Sequence, residues 1–212
     1  MKVQVAYIFP NLKLSVYEPM AKRFVRSYMQ FPPGETDHQL TVLVNGGHLT
    51  SRQEKLFDPL PVTFHEHNNY GKDIGGFFSV AAASTADMLV CLGTPVHCCR
   101  AGWLDRMVNA YISHGPGLYG VWGFDQPQPH IRTTVFWLPP ALLAGYPYPL
   151  DNNHRYQFEH GSRTSLLQWT LKCGFPVYQV TWRETRDHKN FVHVPAEDCL
   201  VLDQHTQRNG LG

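Results

Sequence analysis

The sequence predicts an α/β protein on a mostly parallel sheet, and three observations predict it. Strand-like apolar runs alternate with helix-like amphipathic stretches from residue 2 to residue 115. Each run ends in a polar, glycine- or proline-containing loop, and beyond residue 115 the texture changes to short β segments punctuated by proline. In such sheets ligands bind outside the carboxyl ends of the strands.

Residues 2–9, KVQVAYIF, form a β-branched and aromatic run that stops at Pro10-Asn11, as a buried strand does. From 17 to 31 the apolar positions Met20, Phe24, Val25 and Tyr28 recur at helical spacing until Pro32-Pro33-Gly34 ends the pattern. A second strand (39–45) ends at Gly46-Gly47, a short helix follows over 51–57, and VTFHEH (62–67) is the third strand. After a polar loop come a helix over 74–84, the strand DMLVCL (87–92) and a helix in AGWLDRMVNAYISHG. GLYGVWG (117–123) and IRTTVFWL (131–138) read as added antiparallel strands. A helix over 162–172, the strand-like PVYQVTW (176–182) and the apolar CLVLD (199–203) complete the pattern.

The 212 residues suit one domain, and 43% hydrophobic with 17% charged residues carry too much apolar material for disorder. A formal charge of +1 supplies no broad field for nucleic acid or anionic membranes. Five cysteines, odd in number and without CxxC spacing, read as reduced thiols of a cytoplasmic protein. The apolar start is too short for a signal peptide, and no run of 18 apolar residues is present to span a membrane.

The chain has no Walker loop, GxGxxG fingerprint, GxSxG elbow or HExxH pair. Its most distinctive segment is NNYGKDIGGF (68–77), where Gly71 and Gly75 allow close backbone approach and Asp73 stands at the mouth of a helix. Asp73 is either an N-cap alone or, with Asn69 and Gly71, a contact for the base and ribose of a nucleotide.

The order strand, NxGxDIG loop, helix, strand, then GWL at a helix start resembles glycosyltransferases of the GT-A fold, particularly rhamnan-synthesis and related nucleotide-sugar enzymes. The resemblance runs from about Val3 to Trp182. It implies a GT-A-like domain whose residues 1–115 bind the nucleotide and whose residues 116–212 serve acceptor and catalysis. It also implies a nucleotide-sugar donor held by Asn69, Gly71, Asp73, Gly75, Thr94 and Arg132.

In that family an acidic DxD-type motif after the fourth strand holds Mn²⁺ or Mg²⁺ against the diphosphate. Here the place reads Gly93-Thr94-Pro95, which offers no carboxylate to a hard cation. Direct phosphate binding by Thr94 and nearby amides, helped by Lys72, Arg100 or Arg132, is the alternative. His97, Cys98 and Cys99 are three adjacent side chains that cannot all converge on one ion.

By the same resemblance HIRTTVFWLPP (130–140) lines the acceptor pocket with His130 and Trp137. RYQFEH (155–160) supplies the base as Glu159, with His160 as neighbour or substitute. Asp203 and His205 stand where some members complete a metal site. The acceptor is a hydroxyl of a glycan or of a modified base in DNA, the latter needing a basic strip from Arg100, Arg106, Arg132, Arg155 and Arg163. A degenerate nucleotide-sugar binding or sensor protein is the other class.

Overall fold

The computed structural model describes residues 1–126, 128–151 and 154–204. The chain runs β1 (Val3–Pro10), α1 (Leu14–Gln30), β2 (His38–Asn45), α2 (Ser51–Glu54), β3 (Val62–His67), α3 (Lys72–Ala83), β4 (Met88–Leu92), β5 (His97–Cys98) and α4 (Trp103–His114). It continues β6 (Leu118–Gly120), β7 (Gly123–Phe124), β8 (His130–Ile131), β9 (Val135–Leu138), α5 (Pro140–Ala144), α6 (Arg155–His160) and α7 (Leu166–Lys172). The last strands are β10 (Val177–Val180), β11 (Thr185–Asp187) and β12 (Val201–Leu202).

Eight strands form one sheet in the order β11-β10-β6-β9-β4-β1-β2-β3. β4, β1, β2 and β3 are mutually parallel, as are β6 and β10, while β9 runs antiparallel between β4 and β6 and β11 closes one edge antiparallel. The expected mostly parallel α/β sheet with antiparallel additions is therefore present.

Helices cover both faces, so the central strands are apolar throughout instead of alternating. On β1, Val5, Tyr7 and Phe9 face the layer of α1 and α4, while Ala6 and Ile8 face the layer of α3, α5 and α7. Tyr7 stacks on Phe24 of α1 with ring centroids 3.8 Å apart, which fixes that helix against the sheet.

Three boundaries differ from expectation in ways that shape the site. IRTTVFWL is two strands, β8 and β9, and the turn between them carries Arg132, Thr133 and Thr134 off the sheet. The helix expected over 162–172 is α7 alone, capped by Ser165, while RYQFEH forms its own short helix α6. CLVLD is a strand, but it leaves the main sheet and pairs antiparallel with β5, Val201 opposite Cys98 and Leu202 opposite His97.

Candidate active-site cleft

Pro10 and Asn45 end adjacent parallel strands in register, and β4 ends beside them, so their carboxyl ends open onto one cleft of about 750 Å³. Asn69, Asp73, Thr94, Arg132, Glu159 and Asp203 all line it. Residues far apart in sequence meet there because each sits on a loop or helix end at this edge of the sheet.

The loop after β3 is held in an unusual backbone conformation. Asn69, Gly71 and Lys72 have φ of 69°, 69° and 55°, in the left-handed region. The Asn45 side-chain amide donates to Asn69 Oδ1 at 2.8 Å, and both residues line the cleft. Gly71 and Gly75 act by room: a Cβ on Gly75 would lie 1.9 Å from the Tyr70 carbonyl oxygen, and one on Gly71 would lie 2.2 Å from that of Leu150. Neither glycine lines the cleft; their room shapes the loop that carries Asn69.

Asp73 makes no cap hydrogen bond; the N-cap of α3 is Gly71. Its carboxylate instead receives a two-point grip from Arg155 at the start of α6, Nε to Oδ1 at 2.7 Å and Nη2 to Oδ2 at 2.6 Å. That pair joins the first turn of α3 to the start of α6 across the cleft. The carboxylate beside it raises the already high pKa of Arg155.

The Gly93-Thr94-Pro95 turn is built into the sheet edge. Gly93 N–H donates to the Thr134 carbonyl at 2.7 Å, Thr94 Oγ1 donates to the Ile8 carbonyl at 3.1 Å, and Tyr7 OH donates to the Thr94 carbonyl at 3.0 Å. No acidic side chain comes from this turn, but the pairing of β12 with β5 delivers Asp203 to the same wall. Asp203 is fully buried and lies 3.3 Å from Arg132, whose guanidinium also faces the Trp122 ring at 5.7 Å.

Opposite, Glu159 lies at the end of α6 with its side chain about one-fifth exposed. Its Oε2 accepts from Thr133 N–H at 3.0 Å and from the Thr133 hydroxyl, and its Oε1 is 3.2 Å from His160 Nε2. His160 in turn packs edge-on against His130, ring centroids 4.3 Å apart, and His130 Nδ1 is 2.9 Å from the Gln128 carbonyl. Burial lowers the pKa of His160 below the usual histidine value, the nearby Glu159 opposing that shift and His130 adding to it.

Trp137 does not belong to the site. It is fully buried on the α1 and α4 face of β9, stacked on Tyr119 at 5.7 Å, and cannot touch an acceptor. His205 lies outside the described residues. His97, Cys98 and Cys99 diverge: His97 Nε2 meets Arg23 at 2.6 Å, Cys98 is buried, and the Cys99 thiol points to the carbonyls of Cys199 and Leu200. The arginine strip does not assemble either, since Arg100 lies over Trp182 and Arg106 reaches the Glu184 carbonyl, leaving Arg132 and Arg155 at the cleft.

Sequence reasoning missed Asn45 as a member of the cleft; it placed Thr133 in the pocket-lining segment and Arg155 in the basic strip, but not their contacts to Glu159 and Asp73. Asn45 ends a parallel strand before Gly46-Gly47, a position that itself marks the ligand edge. The cleft's outer wall is apolar, with Leu12 and Val16 more than two-fifths exposed at the loop and first turn of α1.

No family model matches the chain, and no curated protein matches it. Solved structures do. Residues 1–349 of S. aureus TarS in complex with UDP share the fold at a TM-score of 0.54 and 14% identity, covering 74% of this chain and 54% of that one. Glucosyl-3-phosphoglycerate synthase from Mycobacterium tuberculosis, in complex with Mn²⁺, UDP and phosphoglyceric acid, gives 0.52 and 13%, covering 71% and 60%. CMP:2-keto-3-deoxy-manno-octonic acid synthetase complexed with CTP gives 0.54 and 9%, covering 84% and 88%. The chain thus has the fold of nucleotide-sugar transferases and of a nucleotidyltransferase, and it spans little more than half the length of the first two proteins.

No helix among the described residues is long and apolar enough to cross a membrane.

Proposed function

We propose that the protein transfers a sugar from a nucleotide-sugar donor to a hydroxyl acceptor in the cleft at the carboxyl edge of its parallel strands. The observation that carries this reading is the convergence there of an Asn69–Asp73 loop, two arginines and a carboxylate held beside a histidine. The structural neighbours solved with UDP and CTP support the nucleotide half of it.

In this reading Asn69 and Asp73 hydrogen-bond the nucleoside, and the exposed Leu12 and Val16 cover the face of its base. Arg132 and Arg155 face the diphosphate, where a planar guanidinium matches phosphate oxygens. Glu159 removes the acceptor's proton as the hydroxyl attacks, because an alcohol is a weak nucleophile at neutral pH. Thr133 fixes one carboxylate oxygen so that the other faces His160, and His130 positions that ring.

Among the described residues, the donor wall does not fit a hard cation such as Mg²⁺ or Mn²⁺. The turn after β4 has no carboxylate, and Asp203 is fully buried with Arg132 as its counter-ion. The diphosphate charge therefore falls to the arginines and to the exposed Lys72.

The acceptor is a glycan hydroxyl in this proposal, because the described arginines do not form the basic strip that a DNA acceptor requires. Transfer is tested by incubating the purified protein with the donor that binds it and a panel of glycan acceptors. Glu159→Gln is expected to keep donor binding and to lose about 10²- to 10⁴-fold in turnover. Tight donor binding without transfer to any acceptor would leave a nucleotide-sugar binding protein instead.

A further inference from the structure

We propose that His130, Glu159 and His160 form a binding site for a transition-metal ion, zinc foremost, beside the cleft that Glu159 lines and distinct from the Thr94 and Arg132 wall. One ligand atom from each of the three side chains lies within 4.8 Å of the other two. An ion at the centre of a triangle with 4.8 Å sides lies about 2.8 Å from each corner, about 0.7 Å beyond zinc bonds of roughly 2.0–2.2 Å, a gap that small side-chain rotations close.

The donor set is chemically right for such an ion. Two imidazoles and one carboxylate with an open fourth position make a zinc site of the catalytic type, whereas Mg²⁺ and Ca²⁺ prefer oxygen alone. Outer contacts already orient two of the ligands as metal sites require. The Gln128 carbonyl, 2.9 Å from His130 Nδ1, holds the proton on that nitrogen and leaves Nε2 with a lone pair. Thr133 occupies Oε2 of Glu159, so Oε1, which lies 3.2 Å from His160 Nε2, is the oxygen that coordinates.

His160 brings an independent indication. Its Nδ1 is buried and has no hydrogen-bond partner among the described residues, an unfavourable arrangement for a polar atom. Aromatic neighbours fix both rings: Phe124 stacks on His130 at 5.2 Å, and Tyr156 lies 4.6 Å from His160.

The inference adds to the proposed transfer and makes a distinct statement about it. Glu159 Oε1 would be both the ligand and the oxygen that accepts the acceptor's proton, so ion binding and proton removal by Glu159 compete. Zinc is expected to stabilise the fold and to inhibit transfer.

The test uses tag-free protein dialysed against EDTA and titrated with zinc chloride in a calorimeter, with no sugar nucleotide present. The expected result is one ion per chain, with affinity reduced at least tenfold in Glu159→Gln and further in His130→Gln/His160→Gln. Glu159→Gln is nearly isosteric and keeps the contacts to Thr133, so it reports even where the double variant does not fold. Cobalt(II) bound to the wild type is expected to give the visible absorption of a tetrahedral site, lost in Glu159→Gln. No binding, or binding unchanged in Glu159→Gln, overturns the site whatever the outcome for the donor.

Discussion

Asp203, fully buried at the end of β12, lies 3.3 Å from Arg132 in the turn between β8 and β9. The contact joins the C-terminal segment to the wall that the Gly93-Thr94-Pro95 turn leaves without acidic side chains, and it sets where the arginine's charge faces the cleft. Removing only the carboxylate leaves a guanidinium with no counter-ion at a position one-fifth exposed. Asp203→Asn is expected to lower the unfolding free energy by about 2–3 kcal/mol, somewhat less than the loss for a fully buried pair. Urea unfolding measures it, and a change below about 0.5 kcal/mol would remove the pair from the account.

Asp73 and Arg155 form the second bridge across the cleft, and both side chains are partly exposed. Their mutual attraction is therefore worth no more than about 1 kcal/mol. Asp73→Asn should leave stability nearly unchanged yet weaken donor binding roughly tenfold or more, because a charge-assisted hydrogen bond to the ribose is lost. Equal donor affinity in the variant would assign Asp73 to the Arg155 pair alone.

The glycine at 75 acts at one remove from ligand. In Gly75→Ala the new methyl would lie 1.9 Å from the Tyr70 carbonyl, so the loop carrying Asn69 must move. A loss of about 1–3 kcal/mol in stability is expected, together with weaker donor binding although residue 75 does not line the cleft. Wild-type donor affinity in a folded Gly75→Ala protein would show that the loop's shape is immaterial.

Much of this was legible in the sequence, and the reasons it stopped where it did are physical. The parallel half announces itself because long apolar runs alternate with amphipathic stretches, and Asn69, Asp73 and Glu159 follow from loop composition and resemblance. Phe136 and Trp137 face opposite sides of a strand that is buried on both, so no alternation betrays which face opens to ligand, and Trp137 proved to be core. The break between β8 and β9 falls at Arg132-Thr133-Thr134, which contains neither glycine nor proline to mark it. The Arg155–Asp73 and Asp203–Arg132 pairs span 82 and 71 residues of chain, a separation that no local pattern encodes.

Acid should act on the fold through His97. Burial, and next the adjacent Arg23, lower its pKa to about 4, with Asp203 opposing. The folded protein therefore holds this ring neutral while the unfolded chain protonates it near 6.5, so the stability it contributes is present above pH 6.5 and is lost as pH falls toward 4. One such proton corresponds to a slope of at most about 1.4 kcal/mol per pH unit. His97→Gln should flatten the fall in unfolding temperature across that window, and an unchanged slope would contradict the buried neutral state.

The central claim is that the cleft binds a nucleotide sugar, and thermal unfolding against UDP-, GDP-, dTDP- and CMP-sugars in the presence of EDTA tests it most directly. A donor at 100 times its dissociation constant stabilises the fold by about 2.7 kcal/mol, a readily measured shift. The expected result is a shift with one nucleotide family, retained in EDTA and reduced in Asp73→Asn. A cooperatively folded protein whose unfolding temperature no donor raises, with EDTA, magnesium or manganese, would contradict the account and leave the fold as the only likeness to nucleotide-sugar enzymes.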